Sequence, residues 1–345
     1  MSKSSVKLVI LLLVATIATV GADLPRKGYI EWQDFVVTPA DLRKGRVIVV
    51  DKSGTGDSTT IQGALNLIPD SYNARIKIVI NPGIYDEILS IPQNKSHISF
   101  IGRPSQPDGY YPLITGSRKA SDKDENGHEI GSVNTATLEV LSDYFVATAI
   151  TVRNNAVATG YGDQAAAIRI DGDKAMFYRV TFLGNQDTLL DDFGTHFFYH
   201  CYIEGSVDFI WGTATSLYED CTIHSTRSSG SITAHDRQEA DDNTGYIFQG
   251  CKIQGNGPTV LGRAWGRYSR VIYAFCTMDD MIDPLGWNNM DDPSKESTVM
   301  FGEYMNEGPG SNRNGRLPWS QALSDAQALR FVGRTFINGS EWLRL

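Results

Sequence analysis

The 345-residue chain lacks the residue spacings of several common catalytic and metal sites. It contains no Gly-x-Ser-x-Gly motif, which presents the serine nucleophile of α/β-hydrolases, and no His-Glu-x-x-His motif of zinc peptidases. Its four cysteines never occur as Cys-x-x-Cys, so they do not predict a zinc site. These absences leave side-chain carboxylates as the main candidates for chemistry.

Long apolar runs are also scarce, and the only one lies at the N-terminus. The run Leu8 to Val20 follows Lys3 and Lys7 and ends before small residues, which is typical of a secretory signal peptide cleaved ahead of Asp23. A membrane anchor would need about 20 apolar residues. We therefore predict a signal peptide over residues 1–22 and a secreted, extracellular protein.

Basic residues are fewer than acidic ones. Removal of residues 1–22 leaves 29 Lys and Arg against 40 Asp and Glu, a net charge of −11. We therefore expect neither a nucleic acid nor a membrane as partner, and a polyanionic substrate would need local basic residues to attract it. Sequons at Asn94 and Asn338 are consistent with export and N-glycosylation.

Between about Val47 and Met300 the sequence consists of short runs rich in Ile, Val, Phe, Tyr and Thr, separated by Gly, Asn and Asp. Such runs predict strands and turns. Equivalent apolar positions recur after 21, 20, 30 and 25 residues, at Val180, Cys201, Cys221, Cys251 and Cys276. The shorter steps leave no room for crossover helices. The fold class is therefore predicted as all-β, a single right-handed parallel β-helix over residues 46–345, after a short leader at 23–45.

A stack of coils exposes strand edges at both ends, so we expect short helical caps there. One predicted cap has apolar residues at helical spacing before Pro69: Ile61, Ala64, Leu65 and Ile68. The other predicted cap lies around Ser324-Asp325 and has a similar set of apolar residues: Leu323, Ala326, Ala328, Leu329 and Phe331.

The cysteines admit two interpretations. They can form a ladder of free, core-facing side chains, because an unpaired Cys packs as a small hydrophobic residue. Alternatively, neighbours on adjacent coils can form one disulfide in an oxidising compartment, and Cys221 to Cys251 is then the predicted pair.

Two eleven-residue stretches share a Phe-Tyr start, apolar alternation and a final Asp: Phe177 to Asp187 and Phe198 to Asp208. If each is one coil, equivalent positions lie about one strand spacing apart, roughly 4.8 Å. Asp187 and Asp208 would then face one another, and two carboxylates that close favour acid/base or nucleophilic chemistry. The alternative is that both are ordinary turn residues.

The residues around the two acids favour a catalytic role for them over a role as ordinary turn residues. Gln164 precedes Gln186 by one coil length, so both amides can lie beside Asp187 and donate hydrogen bonds to an oxyanion. The alternative is a ladder of stacked amide side chains with a purely structural role. The apolar neighbours of Asp208 would desolvate it, and Arg263 is the predicted ion partner. Trp265 offers a flat face for a sugar ring.

Metal sites are not predicted. The acidic run that starts at Asp122 opens like a calcium loop, but Val133 stands where a bidentate Glu is required. His196 and His200 share a strand face without a third ligand.

Five segments resemble, in order, the signature segments of plant pectin methylesterases: GIYDE at 83–87, QAAAIR at 164–169, GNQDTL at 184–189, DFIWG at 208–212 and LGRAW at 261–265. The similarity runs from about Val47 to the C-terminus. It implies a right-handed parallel β-helix that removes methyl esters from homogalacturonan (pectin) in the cell wall and releases methanol, with no cofactor. It also implies a monomer, with a proteinaceous pectin methylesterase inhibitor as a candidate partner, and a short type without an inhibitor-like pro-region.

Carried over residue by residue, the resemblance implies Asp208 as nucleophile and Asp187 as general acid and then base. It implies oxyanion donors at Gln164 and Gln186, and it places Gln164 with the substrate-binding residues as well: Arg263, Trp265 and Ser132. Trp211 and Ala264 depart from the usual Phe and Pro, which puts the groove shape in doubt more than the chemistry.

Two other functions suit the same residues. A pair of carboxyl groups about 5 Å apart also suits a retaining glycosidase. A β-helix that binds the cell wall without catalysis is the third interpretation. Assays for methanol and for new reducing ends separate the three.

Overall fold

The computed structural model describes residues 28–70, 72, 74–106, 109–157 and 162–345. The predicted signal peptide at 1–22 lies outside the described residues, as does the first part of the leader. Within the described ranges, no helix is long and apolar enough to cross a membrane.

Strands are the predominant secondary structure of the described chain. In chain order, the strands are β1 (Ile30–Glu31), β2 (Val47–Val50), β3 (Ile76–Ile80), β4 (Ile84–Asp86), β5 (Leu89–Ile91), β6 (Ile98–Gly102), β7 (Leu113–Gly116), β8 (Leu138–Val140), β9 (Val146–Thr148), β10 (Thr151–Asn154), β11 (Ile168–Ile170), β12 (Ala175–Tyr178), β13 (Thr181–Leu183), β14 (Leu189–Asp191) and β15 (Thr195–Tyr199). They continue as β16 (Tyr202–Gly205), β17 (Val207–Gly212), β18 (Thr215–Glu219), β19 (Thr222–Ser225), β20 (Gly230–His235), β21 (Gly245–Gln249), β22 (Lys252–Gly255), β23 (Thr259–Arg263), β24 (Arg270–Ala274), β25 (Thr277–Met278), β26 (Trp287–Asn288), β27 (Met300–Tyr304), β28 (Gln321–Ala322) and β29 (Leu343–Arg344).

The helices among these residues are short. The α-helices are α1 (Pro39–Arg43), α2 (Ile61–Asn66), α3 (Asp325–Ala328) and α4 (Gly339–Trp342). Single 3₁₀ turns cover Trp32–Phe35, Ser132–Thr135, Pro293–Ser297 and Pro309–Ser311.

Three parallel sheets run the length of the molecule, and each full coil contributes one strand to each. We name them sheet A (11 strands, β2 to β28), sheet B (eight strands, β4 to β25) and sheet C (eight strands, β5 to β26). In sheet A, Phe177 pairs with Phe198 and Tyr178 with Tyr199, so the two eleven-residue stretches occupy equivalent positions on successive coils, 21 residues apart. The predicted right-handed parallel β-helix is confirmed.

The interior is filled by ladders of like side chains from successive coils. Aromatic rings stack at centroid distances of 5.0, 4.5, 4.6 and 4.5 Å along the ladder Phe177, Phe198, Tyr218, Phe248 and Tyr273. All five side chains are buried. Because the coils are in register, each ring packs on the ring above it, which fixes the height of every coil.

The cysteines form a second interior ladder, and all four are free. Of the two interpretations that the sequence leaves open, the ladder of free side chains is the one found, and Cys221 and Cys251 are not bridged. The Sγ of Cys221 donates to the carbonyl of Phe198 at 3.5 Å, and the Sγ of Cys251 donates to that of Tyr218 at 3.3 Å. Neighbours in a parallel ladder have parallel Cα–Cβ bonds, whereas a disulfide needs Cβ atoms that approach one another.

The first predicted cap is present. Helix α2 begins after Thr60, whose side chain accepts the Gly63 N–H at 3.0 Å, and the Glu87 carboxylate accepts the N–H groups of Ile61 and Gln62 at 2.9 Å each. The buried residues Ile61, Ala64 and Leu65 join the interior core. Helix α2 thus contributes apolar cover beside the first coils.

The second predicted helix forms as α3, with a capping box between Ser324 and Gln327. It belongs to a second apolar cluster on the outer face of sheet A, together with residues from both ends of the described chain: Ile30, Phe35, Leu323, Ala328, Phe331, Trp342 and Leu343. There β1 pairs with β29. The end of the leader and the C-terminal segment therefore cover an outer sheet face that would otherwise be exposed and apolar.

Candidate active site

Gln164, Gln186 and Asp187 lie in turns that lead from sheet B to sheet C, and Asp208 lies at the start of β17 on the next coil. The Asp187 N–H donates to the carbonyl of Val207, next to Asp208, at 3.1 Å. One coil earlier, the Ala165 N–H, next to Gln164, donates to the carbonyl of Gln186 at 3.1 Å. The backbone therefore places Gln164, Gln186, Asp187 and Asp208 side by side.

Both acids adopt an unusual backbone conformation. Asp187 has φ 64° and Asp208 has φ 47°, in the left-handed region that Asp and Asn tolerate better than other non-glycine residues. At Asp208 the strand also bulges, because Val207 pairs with Ser231 while Ile210 pairs with Thr233. The bulge inserts one extra residue into β17 and re-aims a side chain locally.

Asp208 is held as an ion pair. It is only 5% exposed. Its Oδ1 accepts Arg263 Nε at 2.8 Å, its Oδ2 accepts Arg263 Nη2, and Ser231 Oγ donates to Oδ1. The Ser231 hydroxyl also accepts the Asp208 N–H at 3.0 Å. A buried carboxylate with a bidentate guanidinium and a hydroxyl donor is stabilised in its ionised form.

Asp187 has the opposite surroundings. It is 8% exposed, and no cation is paired with its carboxyl group in the described part of the chain. Burial, and secondarily the negative charge of Asp208, raises the pKa of Asp187 well above its ordinary value, against smaller opposing effects of the Gln186 amide and Arg263. Two neighbouring carboxyl groups therefore favour different protonation states.

The two glutamines flank these acids. The Gln186 side chain lies beside Asp187 and opposes the rise in the pKa of that carboxyl group. Gln164 is half-buried, and its carbonyl accepts the Ala120 N–H at 2.9 Å. Next to it, buried Asp163 pairs with Lys119 at 2.8 Å. The segment that carries Gln164 is thus tied to the loop at 118–122.

The predicted substrate residues flank strands of sheet C, because Trp265 follows β23 and Ser132 precedes β8. Trp265 is 49% exposed. Its turn is fixed by Lys295, whose Nζ donates to the carbonyls of Ala264 at 2.8 Å and Trp265 at 3.1 Å. Ser132 begins a 3₁₀ turn in the loop before β8. Since β8 pairs with β11 and β11 with β14, Ser132 lies two coils before Asp187, outside the immediate cluster.

Sequence reasoning missed two contacts of the acids. Ser231 supports Asp208 from the next coil, and Trp211 Nε1 donates to the Asp187 carbonyl at 3.1 Å. Ser231 could have been found from its position one coil after Asp208. The bulge adds one residue to β17, however, so the two positions are not separated by a regular coil length.

The rejected metal residues have other partners. His196 lies with Nδ1 2.5 Å from Asp191 Oδ1 and Nε2 2.9 Å from the Gly172 carbonyl, in the interior. Asp124 accepts the N–H groups of Asn126 and His128 within its own turn. Among the residues the structure describes, no three His, Cys, Asp or Glu side chains are grouped to hold a metal ion.

The arrangement suits acyl transfer. One ionised carboxylate can attack a carbonyl carbon, a neighbouring protonated carboxyl can donate to a leaving group, and side-chain amides nearby can support an oxyanion.

Comparison with known proteins agrees with this chemistry. The family model described as Pectinesterase matches residues 47–340. The chain is 52% identical over 303 residues to Pectinesterase QRT1 of Arabidopsis thaliana, covering 87% of this chain and 79% of that protein. It is 40% identical over 307 residues to Putative pectinesterase 11 of the same plant, covering 88% and 82%.

Solved structures share the fold. Pectin methylesterase from carrot superposes with a TM-score of 0.79 at 32% identity, covering 86% of this chain and 94% of the other. The deglycosylated enzyme from Aspergillus niger gives 0.75 at 29% identity, covering 90% and 98%.

Proposed function

This chain belongs to the pectinesterase family, and from that premise we propose that Asp208 is the nucleophile and Asp187 the general acid and base. The protein is a carboxylic ester hydrolase with pectin methylesterase activity. The observation that carries the proposal is the unlike environment of two adjacent carboxyl groups. Asp208 is paired with Arg263, whereas burial and the Asp208 charge raise the pKa of Asp187.

In the first half-reaction, ionised Asp208 attacks the C6 carbonyl of a methyl-esterified galacturonate unit. Its Oδ2 is the attacking atom, because Oδ1 already accepts two hydrogen bonds, from Arg263 and Ser231, and Oδ2 accepts one. The carbonyl oxygen becomes an oxyanion, supported by the Gln164 and Gln186 amides. As the C–O bond to the methoxy group breaks, Asp187 donates its proton and methanol leaves.

The product of this step is a mixed anhydride between Asp208 and the substrate. Asp187, now ionised, accepts a proton from water, and the resulting hydroxide attacks the same carbonyl carbon. The anhydride bond breaks, Asp208 regains its charge and Asp187 keeps the proton taken from water. The galacturonic acid unit that forms releases its own proton to the solvent. The proposed cycle uses no cofactor, because Asp208 supplies the nucleophile and Asp187 gives one proton to methanol and takes one back from water.

Substrate contacts follow the same side of the β-helix. Exposed Trp265 offers its ring to a sugar face, and Lys295 holds that turn in place. We assign Ser132 to substrate contact two coils away. The signal-like N-terminus suggests that the enzyme acts outside the cell, where pectin occurs, and cell fractionation of the tagged full chain tests this.

The test of the mechanism is methanol release from methyl-esterified pectin by wild type, Asp208→Asn and Asp187→Asn. Both variants should lose at least a thousandfold in kcat, because each removes a group that bonds to the reacting atoms. Asn tolerates the left-handed backbone at both positions, so circular dichroism should show an unchanged fold. Near-normal methanol release by either variant contradicts its role, and new reducing ends would instead indicate glycoside hydrolysis.

A further inference from the structure

One strand, β17, carries Asp208 and also holds the backbone of Asp187. Asp208 is the second residue of the strand. The carbonyl of Val207, its first residue, accepts the Asp187 N–H at 3.1 Å. The Nε1 of Trp211, its fifth residue, donates to the Asp187 carbonyl at 3.1 Å. Both backbone polar groups of Asp187 are therefore bonded to the strand that carries the other acid.

The bond from Trp211 differs from the other bonds between coils because its donor is a side chain. Strands of a parallel sheet bond through backbone groups, and any residue except proline can supply both of them. Asp187 has φ 64° and so departs from the extended conformation. A left-handed non-glycine residue is unfavourable by itself and persists where its surroundings impose it. The indole N–H is one such constraint, and it depends on the identity of residue 211.

Trp211 lies half-buried on the outer face of sheet C. It pairs in register with Leu190 on β14 and with Ala234 on β20. Leu190 is only 1% exposed, although it alternates along β14 with Leu189, which belongs to the interior core. The indole nitrogen reaches Asp187, three residues before Leu190, so the ring extends over β14 and away from β20. The indole therefore covers β14 as well as donating to Asp187.

The placement of Asp187 decides how readily it keeps a proton. The residue is buried, and the charged groups near it are Asp208 and Arg263, with the Gln186 amide alongside. Burial is the largest cause of the raised pKa of Asp187, and the charge of Asp208 is the second. A backbone shift that turned this carboxyl group toward water would weaken the largest of these causes.

We infer that Trp211 is a positioning residue for Asp187, whose carbonyl it holds through the indole N–H so that the acid stays buried and faces Asp208. The inference rests on the proposed function, because it takes Asp187 as the general acid and base. Trp211 acts here through the backbone and forms no bond to the reacting atoms. A proton donor that is already placed does not have to be ordered during the reaction.

Trp211→Phe tests this role, because phenylalanine keeps an aromatic ring but has no N–H. Packing on β14 or stacking on a sugar needs the ring, whereas positioning needs the N–H. For methanol release from methyl-esterified pectin, we expect kcat to fall about tenfold and KM to stay within about twofold of wild type. The alkaline limb of the kcat/KM profile should move to lower pH, because a less buried Asp187 loses its proton at lower pH.

Trp342→Phe is the matched control. Trp342 Nε1 donates to the Ile337 carbonyl at 2.8 Å within the outer cluster on sheet A, so this variant also loses one indole-to-carbonyl bond. It should unfold at a lower temperature than wild type but keep the wild-type kcat and alkaline limb. If Trp211→Phe does not fold, 3-benzothienylalanine at position 211 replaces it. That residue has sulfur in place of the N–H on a ring of the same shape, and it should give the same changes.

An alkaline limb that stays at its wild-type pH in the folded variant overturns the inference, whatever happens to kcat. A rise in KM with an unchanged kcat also overturns it and indicates that the ring stacks on the substrate. Asp187→Asn, assayed beside these variants, separates the inference from the proposed function. An active Asp187→Asn enzyme overturns both, whereas an inactive one together with a wild-type profile for Trp211→Phe overturns the inference alone.

Discussion

The two corners that flank sheet B come from the same coil repeat, yet they differ in regularity. Between sheets A and B, six successive corners from β9–β10 to β24–β25 consist of two residues each. The first is in the left-handed region: Ala149, Arg179, His200, Asp220, Gly250 and Phe275. The second is a buried apolar residue: Ile150, Val180, Cys201, Cys221, Cys251 and Cys276.

The corner between sheets B and C varies in length from coil to coil. It is a single residue, Ser206, before β17, but it spans 117–137 before β8 and 155–167 before β11. The two glutamine amides and both acids lie in or beside this corner. The regular corner keeps successive coils in register, which leaves the other corner free to vary in length and to present polar groups.

The difference extends to energetics. At the regular corner, inward side chains bury apolar surface, which stabilises the fold. At the variable corner, two carboxyl groups are removed from water, which costs stability unless each is paired or neutral. Substitutions at the variable corner should therefore change activity, and those at the regular corner should change stability alone.

Arg263→Gln is expected to give the largest effect in this comparison. Without the guanidinium, buried Asp208 keeps Ser231 as its side-chain donor and loses its ion partner. We expect kcat/KM for methanol release to fall about a thousandfold, because the carboxylate is no longer held and oriented for attack.

The control for this variant is Arg330→Gln, which removes an exposed arginine after α3 and should leave kcat/KM unchanged. An Arg263→Gln enzyme that keeps wild-type kcat/KM at neutral pH would show that Asp208 does not need its ion partner.

Gln186→Ala should cost about a hundredfold in kcat, by analogy with the loss of one oxyanion donor. The amide contacts Asp187 in the structure and adjoins the coil of Gln164. Gln62→Ala on α2, a half-buried glutamine outside the site, provides the matched substitution. An unchanged kcat for Gln186→Ala would remove this side chain from the oxyanion site, leaving it as part of a structural ladder.

The regular corner was the more predictable of the two from sequence. The repeat of Phe177 and Phe198 predicted the register because aromatic residues at equal spacing stack coil on coil. The pairing of Arg263 with Asp208 could also be predicted, since a carboxylate in an apolar frame needs a cation.

Other features depend on information that the local sequence does not hold. Ser231 was missed because serine is common in turns and the bulge in β17 shifts the count. The outer cluster on sheet A was missed because residues such as Met176 and Phe197 alternate with core residues, and nothing local indicates which distant segment covers them. The choice between a ladder of free cysteines and a disulfide stayed open because spacing gives proximity but not the direction of Cα–Cβ bonds.

Asp187→Asn should raise stability while it abolishes activity. Because folding raises the pKa of this carboxyl, the native state favours its protonated form, and the wild type loses stability as the pH rises through the raised pKa. Asn stays neutral, so the Tm of the variant should exceed that of wild type by roughly 2–4 °C at neutral pH. The excess should shrink as the pH falls toward the ordinary Asp value of 3.8.

Thermal unfolding across this pH range checks the sign. Asp86→Asn, which changes an exposed carboxyl on β4, is the control and should show little change. A Tm difference that is independent of pH, or largest in acid, would mean that Asp187 is not the group that folding keeps protonated.

Cys221→Ala tests the regular corner and should have the smallest effect on activity. The variant removes a buried Sγ that donates to the Phe198 carbonyl and packs between coils, so we expect a loss of about 1–2 kcal/mol in the free energy of unfolding. Urea unfolding measures this loss, and Thr222→Ala, one residue further in β19, is the matched control. Methanol release by the folded variant should equal that of wild type, because the two corners are separated by the width of sheet B. A fall in kcat without a fall in stability would show that the regular corner also controls the geometry of the active site.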